Sequence, residues 1–249
     1  MIAVSVIVPV GIGDDSWREL LIDLKNLSSS DELIFVTCED QIQIKKNLVV
    51  SIKDANTDIV NFITKEYRLK CQVRWLKGEK GRAKQMNFGA DHAENSYLWF
   101  LHCDSKLKKG SLERLKMHWE ANTNTLFYFD LIFDQEASTL MTLNTLGVWV
   151  RSHFFHLPFG DQGFAMSKTI FVHLGGYSEN AKYGEDHLLI WKALQSDIAV
   201  KSIGLPIYTS SRKYKKNGWA RTTLSHLFYT YKQAIPEFYI LLKKGRKPS

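Results

Sequence analysis

The sequence predicts an α/β protein: a Rossmann-like, mostly parallel central sheet flanked by helices, in a single domain spanning 1–249. Three observations predict it. Ala3 to Val10 and Glu32 to Thr37 are nearly unbroken apolar runs, as expected of strands buried on both faces. Strand-like runs alternate with helical patterns of about 10–15 residues, the signature of βαβ units. Polar clusters then follow the strand ends, where ligands bind in open parallel sheets.

The elements read in order as follows. Ala3 to Val10 is the first strand, and Asp14-Asp15-Ser16 offers a cap for a helix from Trp17 to about Leu27, with Leu20, Leu21, Leu24 and Leu27 on one face. Strands are expected at Glu32 to Thr37 and at Asn47 to Ile52. A helix from about Thr57 to Arg68 leads to a strand at Cys71 to Leu76. Gly81 to Glu94 reads as a helix, Tyr97 to His102 as a strand, Ser111 to Ala121 as a helix and Leu126 to Phe133 as a strand. The second half is less regular. It has a helix around Leu140 to Phe155, a bend at Phe159-Gly160-Asp161-Gln162-Gly163, a helix from Asp186 to Ser196 and an aromatic helix from Trp219 toward Tyr239. No linker, repeat or low-complexity tract interrupts the chain.

Composition narrows the function classes. Lys and Arg number 33 against 26 Asp and Glu, a formal charge of +7. Much of the excess lies late, at Lys213, Lys215, Lys216, Arg221, Lys243, Lys244, Arg246 and Lys247. Nucleic acid, an anionic membrane surface, a phosphate-bearing small molecule and a merely solvated face all fit that charge. Cys38, Cys71 and Cys103 are odd in number and form no Cys-x-x-Cys pair, which points to a reducing, cytoplasmic setting rather than to disulfides or structural zinc. His153 and His156 lie three apart without a third ligand, so zinc is not expected there either. The first residues lack a basic segment and cleavage site, and no apolar run reaches the roughly 18 residues of a membrane helix. A soluble protein is expected.

Four segments can carry chemistry. At His102-Cys103-Asp104-Ser105 an apolar strand stops at an acid. Asp104 there can hold Mg²⁺ or Mn²⁺ against a diphosphate, or simply form a turn with Ser105. Cys103 reads as packing, with reactive-thiol chemistry as the alternative. Lys77 to Asn87 follows a strand, carries Gly78 and Gly81, and opens a helix, so free N–H groups with Arg82 can cradle a diphosphate; a solvated helix start is the plainer reading. It lacks the Gly-Lys-Ser/Thr ending of a Walker loop. Glu185 and Asp186 begin a helix, where the dipole alone explains two acids, although either can serve as a general base. Ser211 to Arg221 mixes bases and aromatics suited to a phosphate or nucleic acid.

In order and spacing these pieces resemble the family-2 glycosyltransferases with a GT-A fold, more narrowly a bacterial subgroup with a Leu-His-x-Asp metal motif. The resemblance rests on Ser5-Val6-Ile7-Val8-Pro9, Gly81-Arg82-Ala83-Lys84-Gln85-Met86-Asn87 with Gly89-Ala90, Leu101-His102-Cys103-Asp104, Gly160-Asp161-Gln162-Gly163, Leu174-Gly175-Gly176-Tyr177, Gly184-Glu185-Asp186 and Arg212…Gly218-Trp219…Arg221. It covers about residues 3 to 230.

The resemblance implies a hexosyltransferase-like enzyme that moves a sugar from a nucleotide-diphosphate sugar to a hydroxyl acceptor, with inversion and with Mg²⁺ or Mn²⁺. It divides the domain into a nucleotide-binding half (about 1–105), an acceptor half (about 106–230) and a basic tail (231–249). Asp104, with His102, is implied as metal ligand, and Asp186 as base helped by Glu185. Pro9, Val10, Gly11, Glu39, Gly81, Arg82, Gln85, Asn87, Arg212, Trp219 and Arg221 are implied on the donor side. Asp161 and Gln162 are implied near sugar or acceptor. Two departures stand out: His102 replaces the first acid of the usual metal pair, and the second strand ends Thr37-Cys38-Glu39-Asp40, which leaves Glu39 as the nucleobase contact. The alternatives are a nucleotidyltransferase on a similar sheet and a non-catalytic binder of nucleic acid or membrane. Nucleic acid is not expected as a partner; for the basic C-terminal region a helix packed on the core is the plainer reading, with peripheral contact with anionic lipid as the alternative.

Overall fold

The computed structural model describes residues 2–45, 48–51, 57–133, 139–209 and 219–244. Its elements are β1 (Val4–Val10), α1 (Trp17–Asp23), β2 (Glu32–Thr37), β3 (Gln41–Lys45), β4 (Leu48–Ser51), α2 (Thr57–Tyr67), β5 (Gln72–Lys77), α3 (Arg82–His92), β6 (Tyr97–Phe100), β7 (Lys106–Leu107), α4 (Ser111–Ala121), β8 (Thr125–Phe133), α5 (Thr139–Phe154), β9 (Ala165–Ser167), α6 (Lys168–His173), α7 (Glu185–Gln195), β10 (Ala199–Thr209) and α8 (Trp219–Lys243).

One eight-stranded sheet runs β5-β2-β1-β6-β9-β8-β10-β7. Its first four strands are parallel, so their carboxyl ends share one edge. Strand β9 pairs antiparallel to both β6 and β8, β10 runs parallel to β8, and the short β7 closes the far side antiparallel to β10. The architecture is the curled, mostly parallel sheet between helices that the apolar strand runs predict. Every residue of β1 and β2 is buried, as helices on both faces require.

Apolar side chains fill both faces. One layer gathers Trp17, Leu20, Phe35, Trp75 and Trp119, with the Phe35 and Trp75 rings stacked at 4.6 Å. The other gathers Met86, Ala90, Phe100, Phe171 and Ile190 under α3, α6 and α7. A Cβ on Gly89 would lie 2.6 Å from Ile7 Cγ2, so only glycine lets α3 approach β1 this closely.

One expectation is corrected, one strand is placed outside the main sheet and one strand is new. The strand expected at Asn47 to Ile52 is one arm of an antiparallel hairpin, β3–β4, in a sheet of its own. The hydroxyl of Ser16 makes no cap to α1; instead the Asp14 carboxylate accepts from the Ser16 N–H at 3.0 Å. Strand β10 went unread because Gly204 and Pro206 interrupt its apolar pattern and argue against a strand. A register shift between Ser202 and Pro206 accommodates both, with Gly204 at φ +70°.

Candidate active site

The site forms where the carboxyl edge of the parallel strands meets the start of α7. Its centre is Arg82, the first residue of α3. The guanidinium donates to Glu185 Oε1 at 2.6 Å, lies 3.9 Å from Asp186 Oδ2 and 3.4 Å from His102 Nε2. Residues from three distant segments thus meet around one cation. Helix α7 begins after Gly184, whose φ of +65° favours glycine.

Asp186 is buried and held on both oxygens. Oδ2 accepts from the Gly160 N–H at 2.6 Å and Oδ1 from the His187 N–H at 2.9 Å. Burial works against its charge, but Arg82 and the two backbone donors prevail and hold its pKa below the ordinary aspartate value. A Cβ on Gly160 would sit 3.0 Å from Asp186, so the glycine is what lets the turn approach the acid.

Asp161 differs. It lies on a 3₁₀ turn, Gly160–Gln162, and its Oδ1 is buried with no hydrogen-bond partner among the described residues. Burial raises its pKa to about 6; Arg151 and Arg82 oppose the rise, and the charges of Asp186 and Asp104 add to it. The charges of Asp186 and Asp104 thus both bear on Asp161.

The turn is pinned from α5. Gln162 accepts on Oε1 from Ser152 Oγ (2.9 Å), the Phe159 N–H (3.0 Å) and Arg151 Nη2 (3.3 Å), and donates to the Phe129 carbonyl. Gln162, implied as a substrate contact, thus has its amide engaged inside the fold. So does Gln85, which donates to the carbonyls of Val10 and Val36 and ties the ends of β1 and β2 together. Asn87 is bonded to the backbone of Tyr177 in both directions and to Glu179. In this structure the three amides tie loops together through protein partners.

On the donor side, Pro9 and Val10 are buried at the end of β1, Gly11 is exposed, and Glu39 accepts from the Gly13 N–H at 3.2 Å, joining the loops after β1 and β2. Gly81 precedes α3 with φ +134°. Arg212 lies outside the described residues, as do the side chains of Trp219 and Arg221.

His102 is neutral: burial and the adjacent Arg82 push its pKa down, against the pull of Asp186. With the guanidinium donating to Nε2, the proton sits on Nδ1. No group of three or more His, Cys, Asp or Glu side chains able to hold a metal occurs among the described residues. With Nε2 accepting from Arg82 and Nδ1 protonated, His102 offers a cation no free nitrogen in this arrangement, so a cation held at Asp104 would need phosphate oxygens to complete its shell. The Cys103 thiol donates to Asp14 Oδ2 at 3.1 Å, and burial pushes its pKa up, so it is a packing residue with no thiolate character.

Two contributors were not read from sequence. Arg151 counters the Asp161 charge while its guanidinium stacks on Phe159 at 3.4 Å. On α8, Gln233 accepts from His187 Nδ1 at 2.8 Å and donates to the carbonyls of Tyr183 and Gly184, both at 3.2 Å, fixing the turn that presents Glu185 and Asp186. Trp191 donates to His187 Nε2, which sets the tautomer. No sequence signal marks either residue.

The family model for glycosyl transferase family 2 matches residues 38–177, more than half of the chain. The protein belongs to glycosyl transferase family 2. No curated protein sequence matches the chain. Among solved structures, a mannosyltransferase from Pyrobaculum calidifontis in complex with GDP-Man and Mn²⁺ superposes with TM-score 0.63 at 15% identity, covering 97% of this chain and 68% of that one. TarS 1–349 from S. aureus gives 0.56 at 18% identity, over 84% of this chain and 61% of that one. The TarS complex with UDP-GlcNAc gives 0.56 at 15% identity, over 84% and 59%. This chain therefore spans about three fifths of the TarS fragment's length. At these identities the likeness shows a shared GT-A fold.

Proposed function

We propose that this glycosyltransferase moves a hexose from a nucleotide-diphosphate sugar to a hydroxyl acceptor, inverting the anomeric carbon in one displacement. The observation that carries the proposal is the convergence of Arg82, Glu185, Asp186 and Asp161 at the strand ends, beside His102 and Asp104. The nucleotide sugars bound by the two neighbouring enzymes, one with Mn²⁺, support the donor class.

In this reading the donor diphosphate lies against the start of α3, where free N–H groups and Arg82 attract anions. Asp104 would hold Mg²⁺ or Mn²⁺ together with phosphate oxygens of the donor, and His102 would join it only by giving up its bond to Arg82. When bound, the cation supplies charge neutralisation for the departing diphosphate. Asp186 takes the proton from the acceptor hydroxyl, the oxygen bonds to the anomeric carbon from the opposite face, and the carbon–oxygen bond to the diphosphate breaks. Arg82 stabilises the charge that leaves, and Glu185 orients Arg82. One carboxylate base suffices, unlike the acid pair of glycosidases.

One observation favours a second assignment of the base. The Oδ1 of Asp161 is unpartnered and its pKa lies near 6, whereas both oxygens of Asp186 are engaged. A base works best with a pKa near the working pH. The acid limb of the kcat/KM profile separates the two. If Asp161 is the base, activity falls as pH drops through about 6; if Asp186 is, the limb lies below the ordinary carboxylate range.

The primary test is a thermal-shift screen of UDP, GDP, dTDP and CDP with and without Mn²⁺. A nucleotide at a hundredfold its Kd stabilises by about 2.7 kcal/mol. Asp104→Ala is expected to remove the Mn²⁺-dependent part of that shift. Asp186→Asn is expected to keep the shift and to lose turnover by about 10²–10⁴-fold. Release of pyrophosphate instead of nucleoside diphosphate would replace sugar transfer with nucleotidyl transfer.

A further inference from the structure

We propose that α5 and α8 form a platform that docks the protein flat onto an anionic lipid surface. Helix α8 is amphipathic in an inverted sense. Its core-facing side carries Ala234 and the buried Leu241, together with Gln233 and Glu237, which bond to the Gly184 turn and to Gln195. The side turned away from the core carries Phe228, Tyr231, Ile235, Tyr239 and Leu242, three or four residues apart and therefore in one stripe. All five are half exposed or more, Ile235 at 68%.

Helix α5 repeats the pattern with Leu143, Leu146, Val150 and Phe154, the last 76% exposed. The two helices touch where Thr223 on α8 meets Asn144 on α5 at 3.5 Å. An apolar surface on this scale marks an interaction site.

Charge selects the occupant. Helix α5 contains no acid, and the only acid of α8 is Glu237, which accepts from Gln195 at 2.8 Å on the core side. Lys232 and Lys243 lie on α8, and the Lys243 ammonium sits 4.7 Å from the centre of the Tyr239 ring. Apolar stems under cationic heads fit a surface of hydrocarbon beneath anionic headgroups. A second copy would bring like charges together. Among the described residues no helix is long and apolar enough to cross a membrane, so this mode of contact lies on the bilayer.

The test is co-sedimentation of the full chain with phosphatidylcholine vesicles containing or lacking phosphatidylglycerol. Binding is expected with phosphatidylglycerol, weakened by salt, and about tenfold weaker for the Ile235→Ser/Tyr239→Ser double variant. Because both side chains are exposed, circular dichroism of that variant should match wild type. Leu146→Ser/Phe154→Ser on α5 gives an independent variant with the same expected loss. Three outcomes would overturn the proposal. They are wild type that stays in the supernatant with phosphatidylglycerol vesicles, binding of both double variants at the wild-type level, and a dimer in sedimentation velocity that the same substitutions dissolve, without any vesicle binding.

Discussion

Asp31 and Asp161 are the same residue type at opposite ends of one sheet, and their surroundings treat them in opposite ways. Asp31 precedes β2 at the amino edge. Its carboxylate accepts from the Val4 N–H (3.0 Å), from Ser28 through N–H (2.8 Å) and hydroxyl (2.7 Å), and from Lys116 Nζ (2.8 and 2.9 Å). Burial raises its pKa, but the Lys116, Ser28 and Val4 bonds outweigh burial and the net shift is downward. Asp161, at the carboxyl edge, keeps a buried oxygen without a partner and titrates near 6. A fold satisfies acids where it needs only stability, and leaves one underserved where a proton or a substrate must be met.

The largest effect expected from breaking this contrast is at the amino edge. Asp31→Ala leaves Lys116 and three donors without their partner, and removing one member of a buried ion pair costs about 3–5 kcal/mol. Thermal denaturation at pH 7 should show that loss, and an unchanged Tm would show that the network is unimportant. Since the pKa of Asp31 is lowered on folding, its contribution is full above the unfolded value and disappears as pH falls through the folded one.

Next comes Gln85→Ala, expected to cost about 1–3 kcal/mol because two buried carbonyls lose their donor. A chemical-denaturation midpoint matching wild type would return Gln85 to the ligand side of the account. At Asp161 the sign reverses. A raised pKa means that the ionised form costs stability above about pH 6 and that the cost fades as pH falls toward the unfolded value. Asp161→Asn should therefore stabilise by about 1–2 kcal/mol at pH 7.5, with the gain shrinking toward pH 4, while activity is lost. A variant less stable than wild type at pH 7.5 would refute the strained-acid reading. The smallest effect belongs to the outer face of α8, where Ile235→Ser should change stability by no more than about 0.5 kcal/mol. A larger loss would mean that the stripe supports the fold itself.

Much of this was legible beforehand. Strands β1, β2, β5 and β6 declare themselves because burial on both faces requires unbroken apolar runs. Arg82 and Asp104 stand out because they follow such runs, and Glu185 and Asp186 because two adjacent acids open a helix. Arg151 and Gln233 were illegible: each acts on a partner distant in sequence, and a lone arginine or glutamine on a helix carries no local mark. For Gln85, Asn87 and Gln162 the residue was visible but its protein partners were not, since an amide at a helix or turn suits a ligand and a backbone carbonyl equally.

Sequence alone determined the alternation of buried strands and helices, the edge where polar residues collect and the family to which the chain is kin. Periodicity and strand-end chemistry are local, and local patterns survive in one dimension. Tertiary packing decided which acid is satisfied and which is strained, how a bulge admits Gly204 and Pro206 to β10, and that the apolar stripe of α8 points outward. Those outcomes depend on what lies within a few ångströms across the fold, and only the folded chain brings those groups together.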